Sequence, residues 1–101
     1  MPSIEALLEF VSSSPAEPLP RYALGMEYRS QGRHEDAVKT FRELASLHPE
    51  YVPTYLMLGQ TLIGLGRAAE ARSVLTAGLA AARQAGNRHA AGELQDALDS
   101  L

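Results

Sequence analysis

Residues 24–37 read LGMEYRSQGRHEDA, and the segment that starts 34 residues later, residues 58–71, reads LGQTLIGLGRAAEA. The two segments share the pairs Leu24 and Leu58, Gly25 and Gly59, Gly32 and Gly66, Arg33 and Arg67, and Ala37 and Ala71. A period of 34 residues is typical of a two-helix unit copied in tandem, which cannot bury its apolar side alone. The sequence therefore predicts helical hairpins that stack on one another.

Apolar spacing and helix-ending residues predict the elements on both sides of these segments. Proline stops a helix because it lacks the amide donor, and glycine ends one because it adopts the left-handed conformation. The predicted helices span residues 4–12, 20–32, 34–48, 53–65, 68–85 and 88–100, with a proline-bounded linker over residues 13–18. The helix over residues 4–12 carries Ile4, Leu7, Leu8 and Val11 on one side. The whole pattern predicts an all-α chain.

In these features the chain resembles the tetratricopeptide repeat family. The first copy offers Leu24-Gly25 with Tyr28, then Ala37 and Phe41, and the second offers Leu58-Gly59 with Leu62, then Ala71 and Leu75. The resemblance implies a right-handed α-α superhelix of tetratricopeptide-type hairpins. It further implies repeats at 18–51 and 52–85 and a capping helix at 86–101. The apolar spacing and the prolines before them predict an N-terminal amphipathic helix and linker at 1–17.

The glycines and alanines at these positions have a physical reason. Glycine inside a helix costs about 1 kcal/mol relative to alanine, so its recurrence indicates a place where two helices approach closely. Two positions depart from the family pattern: Arg21 stands where a bulky aromatic residue is expected, and Arg83 replaces the proline that Pro49 supplies in the first copy. We therefore expect the second unit to end less typically than the first.

The composition limits the class of protein. The chain has 101 residues, 46% of them hydrophobic, no cysteine and a formal net charge of −3. One domain with a modest core is expected at this length. A lack of cysteine excludes disulfides and agrees with a reducing compartment, so we expect a cytoplasmic location. The negative charge predicts no nucleic-acid partner.

No membrane segment is expected either. The longest apolar stretch, residues 52–66, is interrupted by proline, threonine and glutamine. The first residues lack the basic start and the apolar core of a secretory signal.

The sequence contains only weak signals of a catalytic or metal-binding site. The three histidines, His34, His48 and His89, have no second ligand at helical or turn spacing, so no metal site is predicted. Residues 59–66 hold three glycines but lack the lysine and hydroxyl of a phosphate loop. Residues 12–14 are serines in a linker with no histidine nearby. We therefore predict no enzyme activity and no cofactor.

An acidic stripe runs along the last helix. Glu93, Asp96 and Asp99 follow one another at three-residue spacing, opposite the apolar side. A solvated face is the first interpretation, and a basic patch on a partner is the second, because carboxylates near a helix C-terminus oppose the helix dipole.

The family resemblance also implies a binding surface, since the first helix of each hairpin lines the concave side. The residues that would line it are Leu19, Tyr22, Met26, Arg29, Val52, Leu56, Gln60 and Ile63. Some family members hold a C-terminal carboxylate with lysine and asparagine at two of these positions. Tyr22 and Met26 stand there instead, so that kind of binding is not expected.

Two hypotheses follow for this mostly apolar groove. In the first, it holds a protein or peptide partner, such as an amphipathic helix, with Tyr22, Met26, Leu56 and Ile63 as anchors. In the second, the protein self-associates, and the N-terminal helix fills the groove or is exchanged between two copies. A third interpretation gives that helix only the role of covering the side of the first hairpin.

Overall fold

A computed structural model describes residues 3–101, which form six α-helices joined by short turns. They are α1 (Ile4–Ser13), α2 (Pro18–Ser30), α3 (His34–Leu47), α4 (Pro53–Gly64), α5 (Ala68–Gln84) and α6 (Arg88–Asp99). Residues 1 and 2 of the predicted N-terminal segment lie outside the described residues. The predicted all-α class is confirmed, because the described residues contain helices and turns but no strand.

The helices form a curved, two-layered array. α2 pairs with α3, α4 pairs with α5, α1 packs against α2, and α6 packs against both α4 and α5. The backbones of α2 and α4, and of α4 and α6, approach each other, whereas those of α1, α3 and α5 do not among the described residues. The side chain of Arg42 on α3 still reaches Glu70 on α5, at 2.8 Å. An array whose helices meet on one side and separate on the other curves toward the side where they meet. α2, α4 and α6 therefore line the concave face.

One glycine marks the point where the two helices of each hairpin cross. A Cβ atom added at Gly25 would lie 2.5 Å from Cε1 of Phe41, and one at Gly59 would lie closer than 3.0 Å to the side chain of Leu75. Phe41 and Leu75 are fully buried and are themselves 34 residues apart. The same close approach thus occurs in both hairpins, as the repeated Leu-Gly pair predicts.

The second hairpin contains a further close approach that the first lacks. A Cβ atom at Gly78 of α5 would lie closer than 3.0 Å to Cβ of Tyr55 in α4. The residues 34 positions earlier are the buried Leu44 and Arg21, whose guanidinium donates to the carbonyl oxygen of Pro15. An aromatic residue therefore faces glycine in the second hairpin, while the arginine that departs from the family pattern turns toward the preceding linker.

Three turns have the same glycine geometry. Gly32, Gly66 and Gly86 have φ angles of 75°, 76° and 69°, a region that side chains disfavour. The amide after each glycine donates back across the last helical turn at 2.9 Å, as in the bond from Arg33 to the carbonyl of Tyr28. This pattern is the Schellman ending, which satisfies carbonyl groups that the helix leaves free.

The predicted linker is wrong at both ends. The linker is shorter than residues 13–18, because α1 includes Ser13 and α2 begins at Pro18 rather than Pro20. Prolines fit there because the first turn of a helix needs no intrahelical amide donor.

The other helix ends follow their stop signals. α3 ends at Leu47, before Pro49, whereas α5 meets no proline and continues through Arg83 to Gln84. The longer α5 is the less typical second exit that the sequence predicts.

The N-terminal helix covers the side of the first hairpin. Ile4 and Leu7 are buried and pack with Leu24 of α2, and Val11 and Tyr28 lie at the margin of the same cluster. Ile4, Leu7 and Val11 therefore pack against α2, whereas Leu8 of the predicted stripe is 45% exposed, and none of the four lines the clefts of the concave face. This arrangement corresponds to the third interpretation of the segment.

Candidate functional site

A cleft of about 310 Å³ opens on the concave face, between α2, α4 and α6. Tyr22 comes from α2, and the middle of the cleft is formed by Val52, Pro53, Leu56 and Met57 at the start of α4. The α6 side is formed by Asn87, His89, Ala90, Glu93 and Leu94. Most of these side chains are apolar, so the cleft can bury an apolar side chain of a partner.

The position of Tyr22 is set by two other aromatic rings. Its ring centroid lies 6.1 Å from that of the buried Phe41 and 5.8 Å from that of Tyr51, the latter at an edge-to-face angle of 70°. Burial is the main cause that raises the pKa of the Tyr22 hydroxyl, and the neighbouring Tyr51 raises it further. Tyr22 is therefore a neutral, rigid aromatic wall at ordinary pH.

The floor of the groove continues along α4 toward its C-terminal end. A second cleft of about 400 Å³ is lined by Leu56, Gln60 and Ile63 from α4 and by Glu93, Asp96, Ala97 and Ser100 from α6. Leu56 and Glu93 line both clefts. The two clefts are thus adjacent parts of one surface between α4 and α6, with carboxylates on the α6 side.

Arg29 supplies the positive charge on the opposite side. Its Nη1 atom donates to Sδ of Met57 at 3.2 Å, and it lines a small cleft of about 100 Å³ together with His34, Gln60, Thr61 and Gly64. A thioether is a weak acceptor, so this contact positions the guanidinium without neutralising it. The remaining guanidinium donors are available to an acidic group.

Six of the eight residues predicted for the groove line these three clefts: Tyr22, Arg29, Val52, Leu56, Gln60 and Ile63. Two do not. Leu19 is 62% exposed at the start of α2, and Met26 packs against the core cluster of the first hairpin. Met26 is therefore a partly buried core side chain in this structure, and its expected role as a groove anchor remains a prediction.

The sequence prediction missed Met57 and the whole contribution of α6. Met57 lies between Leu56 and Leu58 in α4, and the apolar spacing alone does not show whether its side chain faces the core or the groove. Glu93 and Asp96 were recognised as a stripe, but spacing along α6 cannot show that they border a surface on α4. The acidic stripe is nevertheless the signal that could have identified α6 as part of the site.

Ion pairs at the turns lie outside this groove. Arg33 pairs with Asp36, and 34 residues later Arg67 pairs with Glu70 and also with Glu35 of the first hairpin. The hydrogen bond from Arg67 is the largest cause that lowers the pKa of the Glu70 carboxyl. The pair between Arg67 and Glu35 connects the two hairpins at their turns.

The described part of the chain shows no arrangement suited to metal binding or membrane crossing. Within residues 3–101, no three histidine, aspartate or glutamate side chains converge as metal ligands would. None of the six helices in that range is both long enough and apolar enough to cross a bilayer.

Comparisons with known proteins agree with this architecture. The sequence profile of the family described as tetratricopeptide repeat matches residues 28–94. A search of curated proteins finds no match.

Solved structures show the same likeness. The crystal structure of a tetratricopeptide repeat domain protein from Salinibacter ruber is 34% identical, with coverage of 83% of this chain and 93% of that chain and a TM-score of 0.79. Its solution structure gives 35% identity, coverage of 85% and 87%, and a TM-score of 0.80. The solution structure of a protein from Bordetella parapertussis is 30% identical, covers 99% of this chain and 87% of that chain, and has a TM-score of 0.82.

Proposed function

This chain belongs to the tetratricopeptide repeat family, and we propose that it holds a partner helix or peptide on its concave face. The tetratricopeptide fold is generally a non-catalytic protein-interaction module. We further propose that the protein acts as a cytoplasmic adaptor, a location supported by the absence of cysteine. The partner is a protein or peptide rather than a nucleic acid.

The observation that carries this proposal is the open apolar cleft between α2, α4 and α6. Tyr22, Leu56 and Met57 are partly exposed there although each belongs to a well-packed helix. Apolar side chains left in contact with water on a concave surface favour association with an apolar partner. Three neighbouring helices, α2, α4 and α6, also provide a trough in which a further helix can pack.

Affinity capture with matched variants tests the proposal. Leu56→Ser places a hydroxyl at the centre of the groove, whereas Leu47→Ser makes the same change at a side chain that is 55% exposed on α3. We expect a partner to be retained by the wild-type protein and by Leu47→Ser, and lost with Leu56→Ser. Circular dichroism checks that both variants remain folded. Equal retention by all three proteins would contradict groove binding.

A second candidate function, self-association as an assembly subunit, is favoured by a different surface. Leu8 and Phe10 of α1 are 45% and 58% exposed, on the two flanks of the stripe that packs against α2. Contact between these residues of two copies would bury apolar surface that is now in water.

Sedimentation equilibrium at two protein concentrations tests this candidate. A dimer that dissociates in Phe10→Ser supports it. A wild-type protein that stays monomeric at both concentrations contradicts it.

A further inference from the structure

We propose that the concave face selects an amphipathic partner helix that carries lysine or arginine along the side meeting α6. This inference rests on the proposed function and adds the charge of the partner. It follows from the placement of Glu93 and Asp96, from the charges that surround them, and from the position of Arg29 on the other side of the groove.

The two carboxylates border the apolar floor of the groove directly. Glu93 lines both clefts between α4 and α6, and Asp96 lines the second beside Leu56, Gln60 and Ile63. A helix whose apolar stripe packs on Leu56 and Ile63 would therefore bring one of its flanks against both carboxylates. Opposite charges at the edge of an apolar contact guide both the register and the choice of partner.

Within residues 3–101, neither carboxylate is paired with arginine or lysine. Glu93 instead contacts the imidazole of His89, with Nε2 3.3 Å from Oε1, and the His89 side chain is 89% exposed. The turns show the opposite situation, since Asp36 and Glu70 each bind an arginine of the same chain. The chain thus neutralises its acidic groups at the turns and leaves those at the groove available to a partner.

Like charges lie close together at this point of the free protein. Glu93 and Asp96 are three residues apart on one side of α6, and the last turn of α6 contains no basic residue. Like charges at this spacing repel each other, and a carboxylate near the C-terminus of a helix opposes the helix dipole. A lysine or arginine from a partner would relieve both effects.

Arg29 gives the groove a second, opposite charge. It lies on α2, across α4 from the carboxylates, and its contact in this structure is with the sulfur of Met57. A partner helix with basic residues on both flanks would place one row of them against the Arg29 guanidinium, and the like charges would repel each other. The basic residues therefore belong on the α6 side, and an acidic or neutral flank belongs on the α2 side.

The same charges disfavour a second copy of α1 as the occupant. α1 contains Glu5 and Glu9 but no basic residue, so its polar flank would face Glu93 and Asp96 with like charge. Its apolar side is also already occupied, since Ile4 and Leu7 are buried against Leu24. The occupant we infer is therefore a separate basic amphipathic helix.

Three synthetic peptides of about 18 residues, long enough to form a helix of roughly 27 Å, test the inference. The first has a leucine stripe flanked on one side by lysines. In the second the lysines are replaced by glutamates, and in the third serines replace the leucine stripe. Fluorescence anisotropy with the full chain at low and high salt measures the affinities. We expect the lysine peptide to bind about tenfold more tightly than the glutamate peptide at low salt, and the difference to shrink at high salt.

Variants assign the selection to these carboxylates. Glu93→Gln with Asp96→Asn should remove the preference for the lysine peptide and raise the melting temperature of the free protein. The matched pair Glu9→Gln with Glu43→Gln removes the same amount of charge from α1 and α3, at residues that line none of the three clefts, and should keep the preference.

The outcomes separate the two proposals. Equal binding of the lysine and glutamate peptides would overturn the charge selection and leave groove binding intact. Binding of all three peptides at the same affinity, or of none, would overturn both. A preference that survives in the Glu93 and Asp96 variant would show that other residues select the charge.

Discussion

Glycine has two different packing environments within the helices of this protein. At Gly25 and Gly59 a side chain would collide with the buried residues Phe41 and Leu75 of the paired helix. At Gly64 and Gly92 no atom beyond the chain neighbours and the adjacent helix backbone lies within 4 Å of the place where a Cβ would be. The same residue type is therefore required by packing at the first two positions, whereas at the other two it only lowers helix stability.

Alanine substitutions distinguish these environments. Gly59→Ala should lower the free energy of unfolding by about 1 to 3 kcal/mol, because the added methyl group overpacks the contact with Leu75. Gly92→Ala in α6 should raise it by up to about 1 kcal/mol, because it only removes the backbone freedom of glycine. Urea denaturation measures both. Equal effects of the two substitutions on the free energy of unfolding would show that close packing against Leu75 does not require glycine at position 59.

Two threonines of α4 differ in their hydrogen bonds. The Oγ1 atom of Thr54 is fully buried and has no partner among the described residues, whereas Oγ1 of Thr61 donates to the carbonyl oxygen of Met57 at 2.7 Å. A buried hydroxyl without a partner costs about 1 to 3 kcal/mol.

Valine, which has the same shape as threonine, tests this difference. Thr54→Val should raise the free energy of unfolding by about 1 kcal/mol, and Thr61→Val should lower it by about 0.5 to 1.5 kcal/mol. Thermal denaturation of the two variants supplies the comparison. Destabilisation by Thr54→Val would mean that the hydroxyl is satisfied in solution.

At the scale of the elements, the helices could be predicted because the local signals are strong. The glycines that end α2 and α4 each have positive φ, as a helix-ending glycine should, and Pro49 marks the end of α3. The predicted start of α2 was wrong by two residues, because the sequence alone does not distinguish a proline within the first turn of a helix from a proline that precedes the helix.

The groove was predictable only in part, for a physical reason. Tyr22, Val52 and Leu56 were expected in the groove because the family resemblance implies that the first helix of each hairpin lines the concave side, and all three line the first cleft. The contributions of Met57 and Glu93 depend on how α4 and α6 pack against each other. A pattern along one helix contains no information about which residues of another helix lie beside it.

The N-terminal helix gives a prediction at this scale. Leu7 is 4% exposed against α2, while the adjacent Leu8 is 45% exposed. Leu7→Ala should therefore cost about 2 to 5 kcal/mol of unfolding free energy, and Leu8→Ala less than about 1 kcal/mol. Chemical denaturation of the full chain measures both values. If Leu7→Ala has no effect, α1 does not pack on the first hairpin in solution.

At the scale of the whole molecule, the concave face exists only because three helices from different parts of the chain lie side by side. α2 supplies the aromatic wall and Arg29, α4 supplies the apolar floor, and α6 supplies the carboxylates. Besides supplying these carboxylates, α6 covers the second hairpin through the buried Leu94. The same helix thus borders the proposed binding surface and covers the end of the array.

The most direct test of this account is to map where the lysine-flanked peptide binds, from changes in the amide chemical shifts of the ¹⁵N-labelled protein. Helix-in-groove binding predicts that the largest changes occur along the concave face, at Tyr22, Leu56, Ala90 and Glu93, with small changes at Leu8 and Arg72. Changes concentrated on α1, α3 and α5 would contradict the assignment of the concave face as the interaction surface.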